Sequence, residues 1–179
     1  MLDEIENKSI FEYSQESYET LFSMFETEMK FKGYSIEEWL VAIKIKPISE
    51  DVSMSDLERY TVKISNVTDI ILENYSLSKA NYTGLKSSIE RAMAVSKAFI
   101  LQDIEAKNRL EATPAKRMKN PTADILETQA YTKNLELHHN LAVSEMFFAF
   151  WEAQYKKINL LNQRVTSLNI LKNIESKNS

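Results

Sequence analysis

From residue 64 to residue 99 the chain sets Ile64, Val67, Ile71, Tyr75, Ser78, Tyr82, Leu85, Ile89, Ala92, Ser96 and Phe99 at steps of three or four. That period suits a helix that keeps one seam against a partner helix, and little else. No proline falls between residues 56 and 111, so the spacing predicts one long helix over that range, about 80 Å at 1.5 Å per residue. Its one glycine, Gly84, costs the helix about 1 kcal/mol relative to alanine. The seam keeps its phase through Gly84, so the helix is expected to run through it, straight or slightly bent.

Thr113-Pro114 ends this element, and Asn120-Pro121-Thr122 opens the next. Asn120 or Thr122 serves as cap there, with Asp124 and Glu127 in the dipole-favoured first turn. The second long helix is expected to run to about residue 174. Its seam is Leu137, Leu141, Ser144, Phe148, Trp151, Tyr155, Ile158 and Val165. A further face, with Val143, Phe147, Phe150, Leu161, Leu168 and Leu171, makes the apolar surface wider than a two-helix hairpin can cover. The N-terminal helices and other subunits are both expected to cover it, which predicts a homo-oligomer with Phe147, Phe148, Phe150, Trp151, Leu161 and Leu168 at the interface.

Three Ser-x-x-Glu patterns, Ser9/Glu12, Ser35/Glu38 and Ser55/Glu58, have the form of capping boxes. The first opens a helix over about residues 10–32, with Tyr18, Leu21, Phe22, Phe25 and Met29 on one face and Gly33 as its stop. The second opens a short helix to about residue 45, carrying Trp39, Leu40 and Ile43 and ended by Pro47. The third starts the first long helix after a polar linker. The fold class is therefore all-α: a long antiparallel, coiled-coil-like hairpin over residues 56–179, with a short helical, acidic extension over residues 1–55.

Two glycines and three prolines in 179 residues leave few sharp turns for a compact β or doubly wound α/β fold. With no cysteine there are no disulfides, thiol nucleophiles or cysteine-ligated zinc. The start is acidic rather than signal-like, and no apolar run approaches the ~20 residues of a membrane span. The expectation is a soluble cytoplasmic protein with no membrane partner.

Residues 1–60 carry 14 acidic and 6 basic side chains, a net −8, and residues 61–179 carry 12 acidic and 16 basic, a net +4. A basic body with an acidic appendage suits a polyanion partner. The basic side chains concentrate in the connector, residues 106–122, where Lys107, Arg109, Lys116, Arg117 and Lys119 face one acid, Glu111. Such a cluster at the end of a hairpin can meet phosphates without disturbing a core. Lys79, Lys86, Arg91 and Lys97 extend the strip, with Glu90 placed to pair with Lys86. Solvation of an exposed loop accounts for the same lysines equally well.

Enzyme signatures are lacking: there is no glycine-rich phosphate loop and no nucleophile elbow. The two histidines, His138 and His139, are neighbours pointing ~100° apart, unable to chelate one metal together. Glu136-x-x-His139 has the spacing of a bundle metal site, but such a site needs a second pair that this chain lacks. No catalytic residue, metal or cofactor is assigned.

The layout over residues 57–174 resembles the phage recombination mediators of the UvsY type. The resemblance rests on a long helix ending in AKNRLEATPAKRMK, then Lys119-Asn-Pro-Thr122, then the helix ILETQAYTKNLELHHNLAVSEMFFAFWEAQYKKINLLNQRV. It implies binding of single-stranded DNA, ring oligomers, and loading of a recombinase onto DNA covered by single-strand-binding protein in the host-cell cytoplasm. It places Lys107, Arg109, Lys116, Arg117 and Lys119 on the DNA backbone. The extension over residues 1–55 departs from the family by its length and acidity. The alternative reading is a helical virion component or assembly factor that binds other helices, its connector merely solvated. Trp39 and Tyr131 are the aromatic candidates for stacking on bases.

Overall fold

The computed structural model describes Ser23, Phe25 and residues 29–177, and the chain is all-α. Over residues 29–177 its helices are α1 (Ile36–Ala42), α2 (Met54–Leu110), α3 (Ala123–Lys133) and α4 (Leu135–Lys177), with a 3₁₀ turn at Pro114–Lys116. Two compact units form: one from Met1–Ile71 with Ile158–Ser179, the other from Leu72–Lys157.

In the first unit, Ser9/Glu12 and most of the expected first helical face lie outside the described residues. Of that face, Phe25 is buried and Met29 half-buried. The helix does not reach Lys32, since residues 29 and 30 are already non-helical, and Lys32 and Gly33 both take positive φ, 52° and 85°. They form the middle of a tight turn closed by two backbone hydrogen bonds between Phe31 and Tyr34, of 2.9 and 3.2 Å. Gly33 therefore serves a reversal rather than a helix C-terminus.

The Ser35/Glu38 box is present in full. The Glu38 amide donates to the Ser35 hydroxyl at 3.2 Å and the Ser35 amide donates to the Glu38 carboxylate at 2.7 Å. Trp39 caps the preceding turn by donating its indole N–H to the Phe31 carbonyl at 2.9 Å. The helix closes at Ala42, earlier than residue 45, and Ile43 and Ile48 turn into the core.

The long helix starts at Met54, two residues earlier than a Ser55 cap would place it. Ser53 is its cap: the hydroxyl accepts from the Asp56 amide at 3.1 Å and donates to the Asp56 carboxylate at 2.6 Å. This start puts Leu57 in the first helical turn, where it is fully buried, its amide bonded to the Ser53 carbonyl. A start at Ser55 would leave the Leu57–Ser53 backbone bond outside the helix.

Ile64, Val67 and Ile71 are buried on α2, as are Ile158, Val165 and Leu168 on α4. Asn162 donates to the Thr68 hydroxyl at 3.1 Å across the two helices. Tyr60 donates to the Lys46 carbonyl at 2.5 Å, tying the segment after α1 to α2.

In the second unit α2 and α4 again run antiparallel. Tyr75 stacks on Tyr155 at 4.9 Å and on Phe148 at 5.8 Å, and Tyr82 stacks on Phe148 at 5.5 Å. Nearer the connector, Ile89, Met93, Ile100 and Ile104 of α2 and Ala130 of α3 form a buried cluster with Leu126, Leu137 and Leu141 against it. The expected seam fails at its last position. Phe99 is 61% exposed and Ile100 takes the inward place, because the partner there is α3 rather than a continuation of α4.

The single long second helix is in fact two. Asn134 leaves helical geometry (φ −116°, ψ 22°), and its side-chain amide donates to the Ala130 carbonyl and the Ser96 hydroxyl, each at 2.8 Å. An asparagine side chain that competes for backbone partners is a sufficient cause for such a break.

Gly84 lies in unbroken helix, and a Cβ there would meet nothing within 4 Å. Gly84→Ala is therefore expected to stabilise the protein by about 1 kcal/mol, seen as a raised midpoint in urea unfolding.

The Ser35 amide, and then its hydroxyl, hold the Glu38 carboxyl below its ordinary value. A carboxylate with a depressed folded-state pKa adds stability above its unfolded pKa and loses it as pH falls through the folded one. A carbonyl-carbon NMR titration should find Glu38 among the last carboxylates to protonate, and Ser35→Ala, which removes the hydroxyl but keeps the backbone amide, should raise it only part of the way toward the ordinary range.

Candidate nucleic-acid interface

The connector spans residues 111–122 and is ordered by backbone-directed bonds. The Thr113 amide donates to the Glu111 carboxylate at 2.9 Å, and the Lys116 amide to the Thr113 carbonyl at 2.9 Å. Pro114 opens the 3₁₀ turn, where its missing N–H is harmless. The main anchor is Asn108 on the last turns of α2. Its amide nitrogen donates to the Met118 carbonyl at 2.8 Å, and its carbonyl oxygen accepts from the Met118 amide at 2.7 Å. A side-chain amide gripping both polar groups of one residue fixes position and direction together, so the segment around Met118 is held against α2.

The five expected phosphate-binding side chains divide into two sets. Lys107 pairs with Asp103 at 2.7 Å and Arg109 with Glu105 at 2.6 Å, each one helical turn away. A count of acids over the connector alone misses both partners. The signal was in the sequence, since an acid four residues before a base on a helix is the favourable orientation. These exposed pairs are worth about 0.3–0.5 kcal/mol each, weak enough for a phosphate to displace, but each leaves no net charge.

Lys116, Arg117 and Lys119 differ: all three are exposed, and none has an ion-pair partner among the described residues. Lys97 is committed to Glu127 of α3. Lys86 and Glu90 form no ion pair with each other or with any described residue, contrary to the expectation. Below the connector a cavity of about 480 Å³ is lined by Ile100, Ile104, Met118, Thr128 and Lys133 among others.

The residues assigned to a subunit interface are largely used inside the chain. Phe147, Trp151 and Leu168 are buried, Trp151 completely. Phe148 is stacked between Tyr75 and Tyr82, Phe150 meets the Trp151 ring edge-on at 5.0 Å, and Leu161 is half-buried. Phe147, Trp151 and Leu168 are thus covered within the protomer. The large apolar side chains left facing solvent are others, Leu110 at 87% and Phe99 among them.

Of the stacking candidates, Trp39 is half-buried and bonded to Phe31, whereas Tyr131 is exposed with one side tilted against His138 at 4.2 Å. Among the described residues no group of three or more His, Asp or Glu side chains converges to hold a metal ion, and no helix is long and apolar enough to cross a membrane.

Asn108→Ala removes both bonds to Met118. Limited trypsin digestion should then cut after Lys116, Arg117 and Lys119 several-fold faster than in the parent protein, with helix content by circular dichroism unchanged. No known protein family, curated protein or solved structure matches this chain.

Proposed function

We propose that this protein is a non-enzymatic, single-stranded-DNA-binding recombination mediator that helps load a recombinase onto DNA covered by single-strand-binding protein. The observation that carries the reading is the set Lys116, Arg117 and Lys119: three exposed cations within four residues, without acidic partners, on a segment clamped by Asn108. Cations on a fixed segment keep the ordering cost of phosphate binding low. Lys107 and Arg109 form a reserve, reached when phosphate oxygens replace Asp103 and Glu105.

Recognition of this kind reads phosphate and not base identity, as suits a protein that acts on any sequence. The recombinase and single-strand-binding protein enter as partners through the resemblance in layout, as do the host cytoplasm and the homo-oligomer, which would multiply one connector into a cationic rim and bind by avidity.

A helical structural or adaptor protein is the second reading. It is favoured by the exposed Phe99 and Leu110, apolar side chains suited to another protein's helix. The two readings separate on the connector. Fluorescence anisotropy of a labelled oligothymidylate, titrated at several salt concentrations, should show log affinity falling against log salt with a slope of about −2 from three phosphate contacts, or steeper where copies act together. Lys116→Glu, Arg117→Glu and Lys119→Glu together should lower affinity at least tenfold and leave the mass by light scattering unchanged. Equal binding by parent and triple variant would reject the connector as the DNA contact.

A further inference from the structure

A second cationic feature lies on α2, well apart from the connector in sequence. A shallow groove of about 770 Å³ runs along this helix in the unit that holds Leu72–Lys157. Lys79 stands at one end, its ammonium 5.9 Å from the centroid of the Tyr75 ring. Arg91 stands at the other, its guanidinium donating to the Ser87 hydroxyl at 3.0 Å. Neither cation has an ion-pair partner among the described residues, and no acidic side chain lines the groove. Thr83 and Ser87 offer hydroxyls between the two cations and Ser76 lies just before Lys79, while the Ser88 hydroxyl donates to the Gly84 carbonyl at 2.9 Å.

The floor is Gly84. Its φ is not positive, and a Cβ would meet nothing, so neither backbone conformation nor packing within the chain calls for glycine there. What the bare position does provide is room for a ligand to lie close to the helix axis. The charge decides what kind: two unpaired cations with hydroxyl donors between them complement an anionic chain and not an apolar helix. Lys79 and Arg91 are twelve residues apart, about 18 Å along the helix. That matches about five nucleotides at the roughly 3.4 Å rise of one stacked strand. Tyr75 is already stacked on Tyr155 and Phe148, so the groove has no free aromatic face for a base and would take the backbone alone.

Resting on the reading of the protein as a single-strand binder, we propose that the α2 groove between Lys79 and Arg91 is a second phosphodiester-binding track, which holds the same DNA strand as the connector or another one.

The test titrates the full-length protein with a labelled oligothymidylate at several salt concentrations, with light scattering on each sample. Four proteins are compared: the parent, Lys79→Glu with Arg91→Glu, Gly84→Leu, and the triple connector reversal. The groove reversal is expected to weaken binding about tenfold and to flatten the salt slope by about 1.4, the share of two contacts on a single strand. Gly84→Leu fills the floor without meeting any protein atom at the Cβ, so it should keep the fold while weakening binding several-fold. If the groove reversal binds like the parent while the connector reversal does not, the groove proposal falls and the single-strand-binding reading stands. If the groove variants lose binding and the connector reversal does not, the groove stands and the connector assignment falls. No binding by the parent at low salt overturns both. A change of mass in Gly84→Leu, with DNA binding intact in the groove reversal, would instead make the groove a seat for another helix and overturn the proposal.

Discussion

Everything else in the chain depends on the antiparallel facing of α2 and α4. Most stability in a helix longer than a few turns comes from the apolar face it buries rather than from intrinsic propensity. Here the buried face is narrow and continuous in each unit: Ile64, Val67 and Ile71 with Ile158 and Val165 in one, Ile89, Met93, Ile100 and Ile104 with Ala130 in the other. Apolar side chains alone leave such a seam free to slide by a turn. The polar pairs resist this. Thr68 with Asn162 in the first unit and Ser96 with Asn134 in the second lose their hydrogen bonds under any shift, as single polar residues at seam positions set register in coiled coils. The stacked rings of Tyr75, Tyr155, Phe148 and Tyr82 add flat surfaces that also fit in one alignment.

With the seam fixed, the distribution of charge follows. Residues on the outer faces of α2 are free to be charged, and many cancel along the helix: Lys107 with Asp103 and Arg109 with Glu105, one turn apart. Cancellation of this kind relies on an acid one helical turn away. In the connector, where the helix has ended, no acid stands at the matching distance, and Lys116, Arg117 and Lys119 keep their charge. The same logic isolates Lys79 and Arg91, whose neighbours on the groove are hydroxyl and small residues. Among the described residues, the connector and the α2 groove are thus two places that present positive charge without a paired acid.

Much of this was legible in the sequence, for reasons that can be named. The span of α2 was readable to within two residues because the three- and four-residue steps recur over many turns, and the Ser35/Glu38 box because it needs only local atoms. The misses share a different cause. Phe99 and Ile100 are equally apolar, and the choice between them depends on where α3 lies, which periodicity within α2 does not carry. Ser53 rather than Ser55 is the cap, its hydroxyl closing on Asp56 and its carbonyl taking the Leu57 amide, a choice between two similar local motifs that the pattern alone does not make. Asn134 looked like one more polar position until Ser96 stood opposite its amide. In the connector the cations were legible, but their count overstated the usable charge, because Asp103 and Glu105 lie just outside the segment that looked like a loop.

If the connector binds a single strand as proposed, the arithmetic of phosphate contacts limits what one connector achieves. Three single-strand contacts give a salt slope of about −2, so affinity falls about 20-fold when salt rises fourfold. A site that small is easily displaced, which is compatible with the proposed role of holding a strand and then releasing it. Tight holding needs more contacts on the same strand. They can come from the reserve of Lys107 and Arg109, from Lys79 and Arg91 in the α2 groove, or from further copies of the chain. The first source costs two weak ion pairs per chain, the second needs only a strand long enough to reach, and the third scales with assembly. A binder built from several weak, separately releasable sets of contacts can let go in steps, which a single tight site cannot do.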